Sequence, residues 1–211
     1  MTRNTTAQLW ARQDKAVGDR EPLYRAVAES DVVDARTVLY PGSYVDLAPS
    51  FVFPSVTYVD VDKRANRFFG DRDGVRAIVA SRRGSPPDSR ITFLHADYTT
   101  PLDLPEGHFD LLISVYAGFV SEHCTQHLRV GGTLLVNSSH GDAAMAGLDP
   151  RLELAAVVTS RAGAHRVDAS DLDRWMVARK DVEVSADLLH ETGRGIAYTR
   201  SPFAYLFTRV A

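Results

Sequence analysis

Two short apolar runs, Val38-Leu39-Tyr40 and Val56 to Val61, constrain this chain more than any other feature. Pro41 and Gly42 stop the first, as expected of a buried parallel strand whose carboxyl end opens into a loop. The second ends in acidic residues, and Asp60 lies 18 residues beyond Gly42. The stretch from Thr37 to Asp62 therefore reads as strand, glycine turn, short helix and second strand. That spacing is close to the one at which a nucleotide-binding unit offers a carboxylate to a ribose. Backbone N–H groups of the first turn and of the following helix would face the rest of the ligand.

The remaining segments alternate in the same way. Thr5 to Ser30 reads as helical and divided at Pro22, since proline suits a first turn and not an interior. It would pack on the sheet or lie over a ligand. Lys63 to Ser81 reads as one helix weakened at Gly70 and Gly74, and GSPPDS (84–89) as a loop. Ile91 to His95 is a third strand, Phe109 to Val115 a fourth and Thr133 to Asn137 a fifth, with helical character over Gly118 to Leu128. Strands alternating with helices predict right-handed crossovers and a parallel sheet covered on both faces. Beyond it, Asp142 to Gly147 reads as a short helix and Leu152 to Ser160 as a strand or a buried helix. Asp168 or Ser170 would cap a helix through Val177. Val182 to Leu189 and Phe203 to Val210 alternate as antiparallel edge strands do.

With 211 residues, 45% of them hydrophobic, the chain is long enough for one substantial core. The expected arrangement is a single domain over 1–211, with N-terminal helices over 1–34, a cofactor-binding core over 35–137 and the C-terminal part of the sheet over 138–211. A net charge of −3 gives no footprint for nucleic acid or an anionic membrane. The apolar run from Leu111 to Val120 is too short to span a bilayer, and MTRNTTAQ offers no secretory core. One cysteine, Cys124, fits a reducing, cytoplasmic setting.

Four motifs in order resemble class I S-adenosylmethionine-dependent methyltransferases over about Ala35 to Asn137. TVLYPGS stands at the first glycine loop and VTYVDVD at the strand ending in the ribose acid. ITFLHADYTTPLDLPEGHFDLLISVYAGF matches the third-strand acidic turn and the opening of strand four, and HLRVGGTLLVN the turn before strand five. The resemblance implies a Rossmann-like three-layer α/β sandwich. Its sheet would be seven-stranded and mostly parallel, with an antiparallel C-terminal edge. It implies S-adenosylmethionine as cofactor, with Tyr40, Gly42, Ser43, Asp60, Asp97, Tyr98 and Ser114 around it. Asp60 would take the ribose and Asp97 the adenine amino group. The first loop departs from the pattern, with Tyr40 at the family's acid position and Tyr44 and Asp46 where two glycines belong. Glycine there admits positive φ and close approach of backbone to ligand. Tyr44 must point away or partly fill the pocket, and an Asp46 carboxylate near the sulfonium or amino group would partly compensate.

Other chemistries are less well served. A dehydrogenase needs G-x-G-x-x-G, yet PGSYVDLAPS has no second glycine, and no G-x-x-x-x-G-K-[ST] occurs. Methyl transfer asks mainly for in-line positioning, with a base only where the acceptor must lose a proton. Tyr116 and His140, beyond strands four and five, are the catalytic candidates; His140 could equally be an inert loop histidine. Glu122, His123 and His127 share a helical stretch, but two histidines at i, i+4 lack a third ligand, and a solvated face is the expectation rather than a metal site. The Asn/Asp-Pro-Pro-aromatic turn of nucleic-acid amine methyltransferases is absent, which leaves a small-molecule or protein acceptor. A catalytically inactive binding module on the same fold is the alternative.

Overall fold

A computed structural model describes residues 5–211; Met1 to Asn4, part of the N-terminal segment discussed above, lie outside them. Helix α1 (Thr6–Val17) starts at a reciprocal cap, in which the Gln8 amide N–H donates to Thr5 Oγ1 and the Thr5 N–H to Gln8 Oε1. Gly18 ends it, and α2 (Glu21–Ala28) carries Pro22 in its first turn, so the division at that proline is observed.

β1 (Thr37–Pro41) leads through a four-residue 3-10 turn, Ala48–Phe51, to β2 (Ser55–Val59). The expected short helix is thus a single turn, held tight by Pro49, and presents no α-helical N-terminus to the strand ends. The helical stretch after β2 is two helices, α3 (Lys63–Gly70) and α4 (Arg72–Ser81), where one was expected. Asp71 makes the break: its carboxylate accepts the Gly74 N–H at 3.0 Å and the Thr6 hydroxyl at 2.5 Å. A Cβ on Gly74 would lie 2.4 Å from that carboxylate, so a larger residue there would require the Asp71 side chain to shift.

The chain continues through β3 (Arg90–Leu94), β4 (Phe109–Ser114), α5 (Val120–Cys124), β5 (Leu128–Val136), α6 (Asp142–Leu148), β6 (Leu152–Arg161), β7 (Ala164–Asp168), α7 (Ala186–Thr192) and β8 (Ala204–Arg209). All eight strands form one sheet in the order β3-β2-β1-β4-β5-β8-β6-β7. β1 to β5 pair in parallel, and β8 runs antiparallel between β5 and β6. Two expectations change. The sheet has eight strands and not seven, because Ala162 and Gly163, both at positive φ, turn β6 back into a hairpin with β7. The antiparallel C-terminal edge is present, made by β8, β6 and β7, but β8 is its inner strand and not the outermost one.

Val182 to Leu189 is no strand: Ser185 accepts the Leu188 N–H as an N-cap, Gly193 closes the C-terminus, and these signals outweigh the alternation. Asp168 belongs to β7, and its carboxylate closes a local turn on Ser170 in place of capping a helix. One core layer lies under α1 to α4, around Tyr24, Phe51, Tyr58 and Phe68; the other lies under α5 to α7, around Cys124, Leu134 and Met145. No described helix is long and apolar enough to cross a membrane.

Candidate functional site

β1 and β4 are neighbours, yet the chain leaves β1 for β2 on one side and returns to β4 on the other. In an open sheet the crevice outside the carboxyl ends of such a pair is where ligands bind. The loops there are held in strained conformations. Tyr44 after β1 has φ +48°, Tyr116 after β4 has φ +59°, and His140 after β5 has φ +57°. Left-handed backbone costs a side-chain-bearing residue about 1–2 kcal/mol, and such outliers cluster where function requires them.

Gly42, at φ +65°, is where the loops meet. A Cβ on it would lie 2.7 Å from the Ala117 methyl and 3.6 Å from the Tyr98 ring, so only glycine fits. Tyr98 links the ends of β3 and β4, its hydroxyl accepting the Gly118 N–H at 3.0 Å. Ser43 is buried, with its hydroxyl on the Tyr44 carbonyl.

Beneath this turn lies a buried polar cluster. Asp46 is 2% exposed and accepts from the Arg20 guanidinium at 2.9 Å, the Tyr40 hydroxyl at 3.1 Å, the Tyr24 hydroxyl at 3.4 Å and the Ala48 N–H at 3.1 Å. Burial, then the nearby Asp46 charge, hold Tyr40 protonated well above the ordinary tyrosine range. The Asp46 carboxylate is therefore turned inward and committed to Arg20, contrary to its expected place beside the cofactor. Tyr40, likewise buried, supports the loop from below. The Arg20 guanidinium also covers the Tyr116 ring at 4.9 Å, joining the N-terminal segment to the rim.

Asp60, at the end of β2, is 9% exposed. Its two oxygens accept the Tyr44 and Asp62 N–H groups, each at 2.7 Å. A carboxylate has about four acceptor positions, so each oxygen keeps capacity for a hydroxyl. The Tyr44 ring lies on the same side, 5.0 Å from the Arg64 guanidinium. Asp97 is exposed at the end of β3, with Oδ1 on the N–H and hydroxyl of Thr99; those bonds hold its carboxyl below the usual range.

On the other side of β4, Ser114 is buried and donates to Asp142. Ser121 adds its hydroxyl at 2.5 Å and its N–H at 3.1 Å. Burial pushes the Asp142 carboxyl up to about 6 against these bonds. Asn137 ties the two candidate loops together: its Oδ1 accepts the Tyr116 N–H at 3.3 Å and the Ser139 N–H at 3.2 Å. Tyr116 is 54% exposed and His140 is exposed one residue past that tie.

Arg20, Asn137 and Asp142 were not singled out from sequence. Arg20 in particular sits in a helix-breaking stretch with nothing to mark its partner 26 residues on. The histidine pair is also resolved differently from expectation. Residues Thr125–His127 form a 3-10 turn, which takes His127 off the face of His123 and buries it against the Pro105 carbonyl. Glu122 instead meets His190 at 2.9 Å, and no group of three metal-ligating side chains occurs among the described residues.

No protein-family model matches the chain, and no curated protein matches it. Solved structures do. A candidate methyltransferase of Haloferax volcanii, solved with the Trm112 methyltransferase activator, is 14% identical, with 96% of this chain and 94% of that one covered at a TM-score of 0.52. A candidate O-methyltransferase of Klebsiella pneumoniae is 11% identical, with 79% and 89% covered at a TM-score of 0.50. The chain has the Rossmann-like fold of class I S-adenosylmethionine-dependent methyltransferases.

Proposed function

We propose that this protein is an S-adenosylmethionine-dependent methyltransferase acting on a small molecule. The observation that carries the reading is the crevice outside β1 and β4, where three of the six side-chain-bearing residues at positive φ among the described residues, Tyr44, Tyr116 and His140, stand one in each loop after β1, β4 and β5. The residues fit an adenosine group: Asp60 has acceptor capacity for ribose hydroxyls, and Asp97 with the Tyr98 backbone suits the adenine edge. When bound, the cofactor supplies an activated methyl group. The chain's own task is then to orient an acceptor, for which Tyr116 is the exposed ring at the strand ends, and His140 is the base where a proton must leave.

One observation favours a second reading, a binding module without catalysis. The Ala117 methyl closes directly on Gly42, and the Asp46 carboxylate is turned inward on Arg20, so this loop offers the charged methionine end of the cofactor no carboxylate. Calorimetric titration with S-adenosylmethionine and with S-adenosylhomocysteine separates the two. Micromolar binding, about −8 kcal/mol, supports the enzyme; no heat with either ligand selects the binding module. Asp60→Ala is expected to weaken S-adenosylhomocysteine binding by about 1.5–3 kcal/mol through loss of the ribose contacts. Unchanged affinity in the folded variant removes Asp60 from the site.

A further inference from the structure

We propose that β3, the open edge of the sheet, is a docking site for an extended acidic segment of a partner protein, which adds there as a ninth strand. β3 ends the strand order and, among the described residues, pairs only with β2. The phase of that pairing is fixed at both ends, by the Arg90 N–H on the Pro54 carbonyl at 2.8 Å and the Asp60 N–H on the Leu94 carbonyl at 3.2 Å. In a parallel ladder alternate residues face alternate sides, so Arg90 and Leu94 face β2, while Ile91 and Phe93 turn their N–H and C=O groups outward. An edge of this kind is normally blunted by proline, a bulge, a charged side chain or a covering element, and the charge on this one, Arg90, guards against basic strands and not against acidic ones. β3 has neither proline nor bulge, and Arg90 and Thr92 are exposed.

The edge is flanked by a groove. Cavities of about 520 and 580 Å³ lie along it as neighbours, with Arg76, Ser89 and Ile91 lining both. Phe69 and Phe93, stacked at 4.7 Å and 12°, give it an apolar floor. Arg72, Arg76 and Arg90 line it, each exposed and, among the described residues, without a carboxylate in ion-pair range; Asp88 is the acid on its wall. Outward backbone groups supply affinity for any strand, alternate side chains reach the apolar floor, and the arginines select for acidic residues. A second copy of this chain is disfavoured as occupant, because antiparallel pairing of two such edges brings two arginine-lined grooves side by side on one face of the joined sheet.

The test is selection of short random peptides displayed on phage against the full chain. The expected binders alternate β-branched with acidic residues, slow amide exchange at Ile91 and Phe93, and lose about tenfold or more in affinity against Arg72→Glu/Arg76→Glu. Both positions are on the surface, and an unchanged thermal melt verifies the fold of that variant. Ile91→Pro, which removes one outward donor, should abolish binding as well. The proposal is overturned by an absence of binders, by binders that protect other amides, or by binders indifferent to the charge reversal. A dimer in sedimentation that itself protects Ile91 and Phe93 overturns it in favour of a second copy.

Discussion

The two rims of the sheet use the same device to opposite ends. At the amino rim, Asp110 of β4 accepts the Arg36 N–H at 3.0 Å, the Thr37 N–H at 2.8 Å and hydroxyl at 2.7 Å, and Arg129 Nε at 2.7 Å. Burial opposes its charge, but Arg129 and these donors outweigh that and bring its carboxyl down to about 2. None of the residues that hold it, Arg36, Thr37 and Arg129, is at positive φ, and the left-handed positions flanking it are glycines, Gly107 and Gly131. At the carboxyl rim, Asp46, Asp60 and Asp142 also gather N–H and hydroxyl donors, but they are buried and sit among residues forced to positive φ. One rim gains stability from its carboxylate. The other gives stability up to hold a shape, which is the behaviour expected of a site.

The sharpest way to break that contrast is to remove Arg20. Arg20→Ala leaves the Asp46 charge buried without its cation, and a loss of about 3–5 kcal/mol is expected in urea unfolding. A loss below about 1 kcal/mol would show that the cluster is wet and that the carboxyl rim is not built on a buried pair.

The two rims should also titrate in opposite directions. Asp142 is raised from an ordinary 3.8 to about 6, so the folded protein holds that proton more tightly than the unfolded chain does. Its contribution is full below about pH 4 and is lost as pH rises to about 6, a fall of about 3 kcal/mol at about 1.4 kcal/mol per unit. Asp142→Asn should flatten that slope in urea midpoints taken across the window. Asp110 is depressed, so its contribution is present above about pH 4 and is lost as pH falls towards 2. Because it is only partly shielded from water, about 1 kcal/mol is expected from it, and Asp110→Asn should remove the acid-side loss alone. Equal slopes in both variants would mean that the rims do not differ.

How much of this was legible in the sequence follows from the range of each interaction. The parallel core was readable because apolar runs, Pro41-Gly42 and the acid ending β2 act within a few residues. The break at Asp71 was half readable: Gly74 marks a weak helix, but Thr6, which completes the cap, is 65 residues away. The hairpin to β7 rests on Ala162 adopting φ +51°, a conformation its side chain does not advertise. Asp46 was noticed for its charge and misplaced, because its partners Arg20 and Tyr24 come from the turn before α2 and from α2 itself, whose docking the local sequence does not encode. Two tyrosines, Tyr44 and Tyr116, drew attention as aromatic residues near a site, and their strain emerged only with the backbone.

Tyr44 offers the finest test, because a single substitution bears on both stability and ligand. Tyr44→Gly relieves left-handed strain of about 1–2 kcal/mol. It also frees the backbone of the unfolded chain and forfeits the ring's contact with Arg64, which together offset most of that gain. The expected change in unfolding free energy is therefore within about 1 kcal/mol, while the amide that donates to Asp60 is retained. Ligand binding is the informative readout. If the ring only caps Asp60 from outside, affinity for S-adenosylhomocysteine should stay the same, and if it occupies the path between Asp60 and Gly42, affinity should rise. A fall in affinity with stability preserved would instead make the ring a ligand contact, and the carboxyl rim would then be strained at that residue in order to hold it in place.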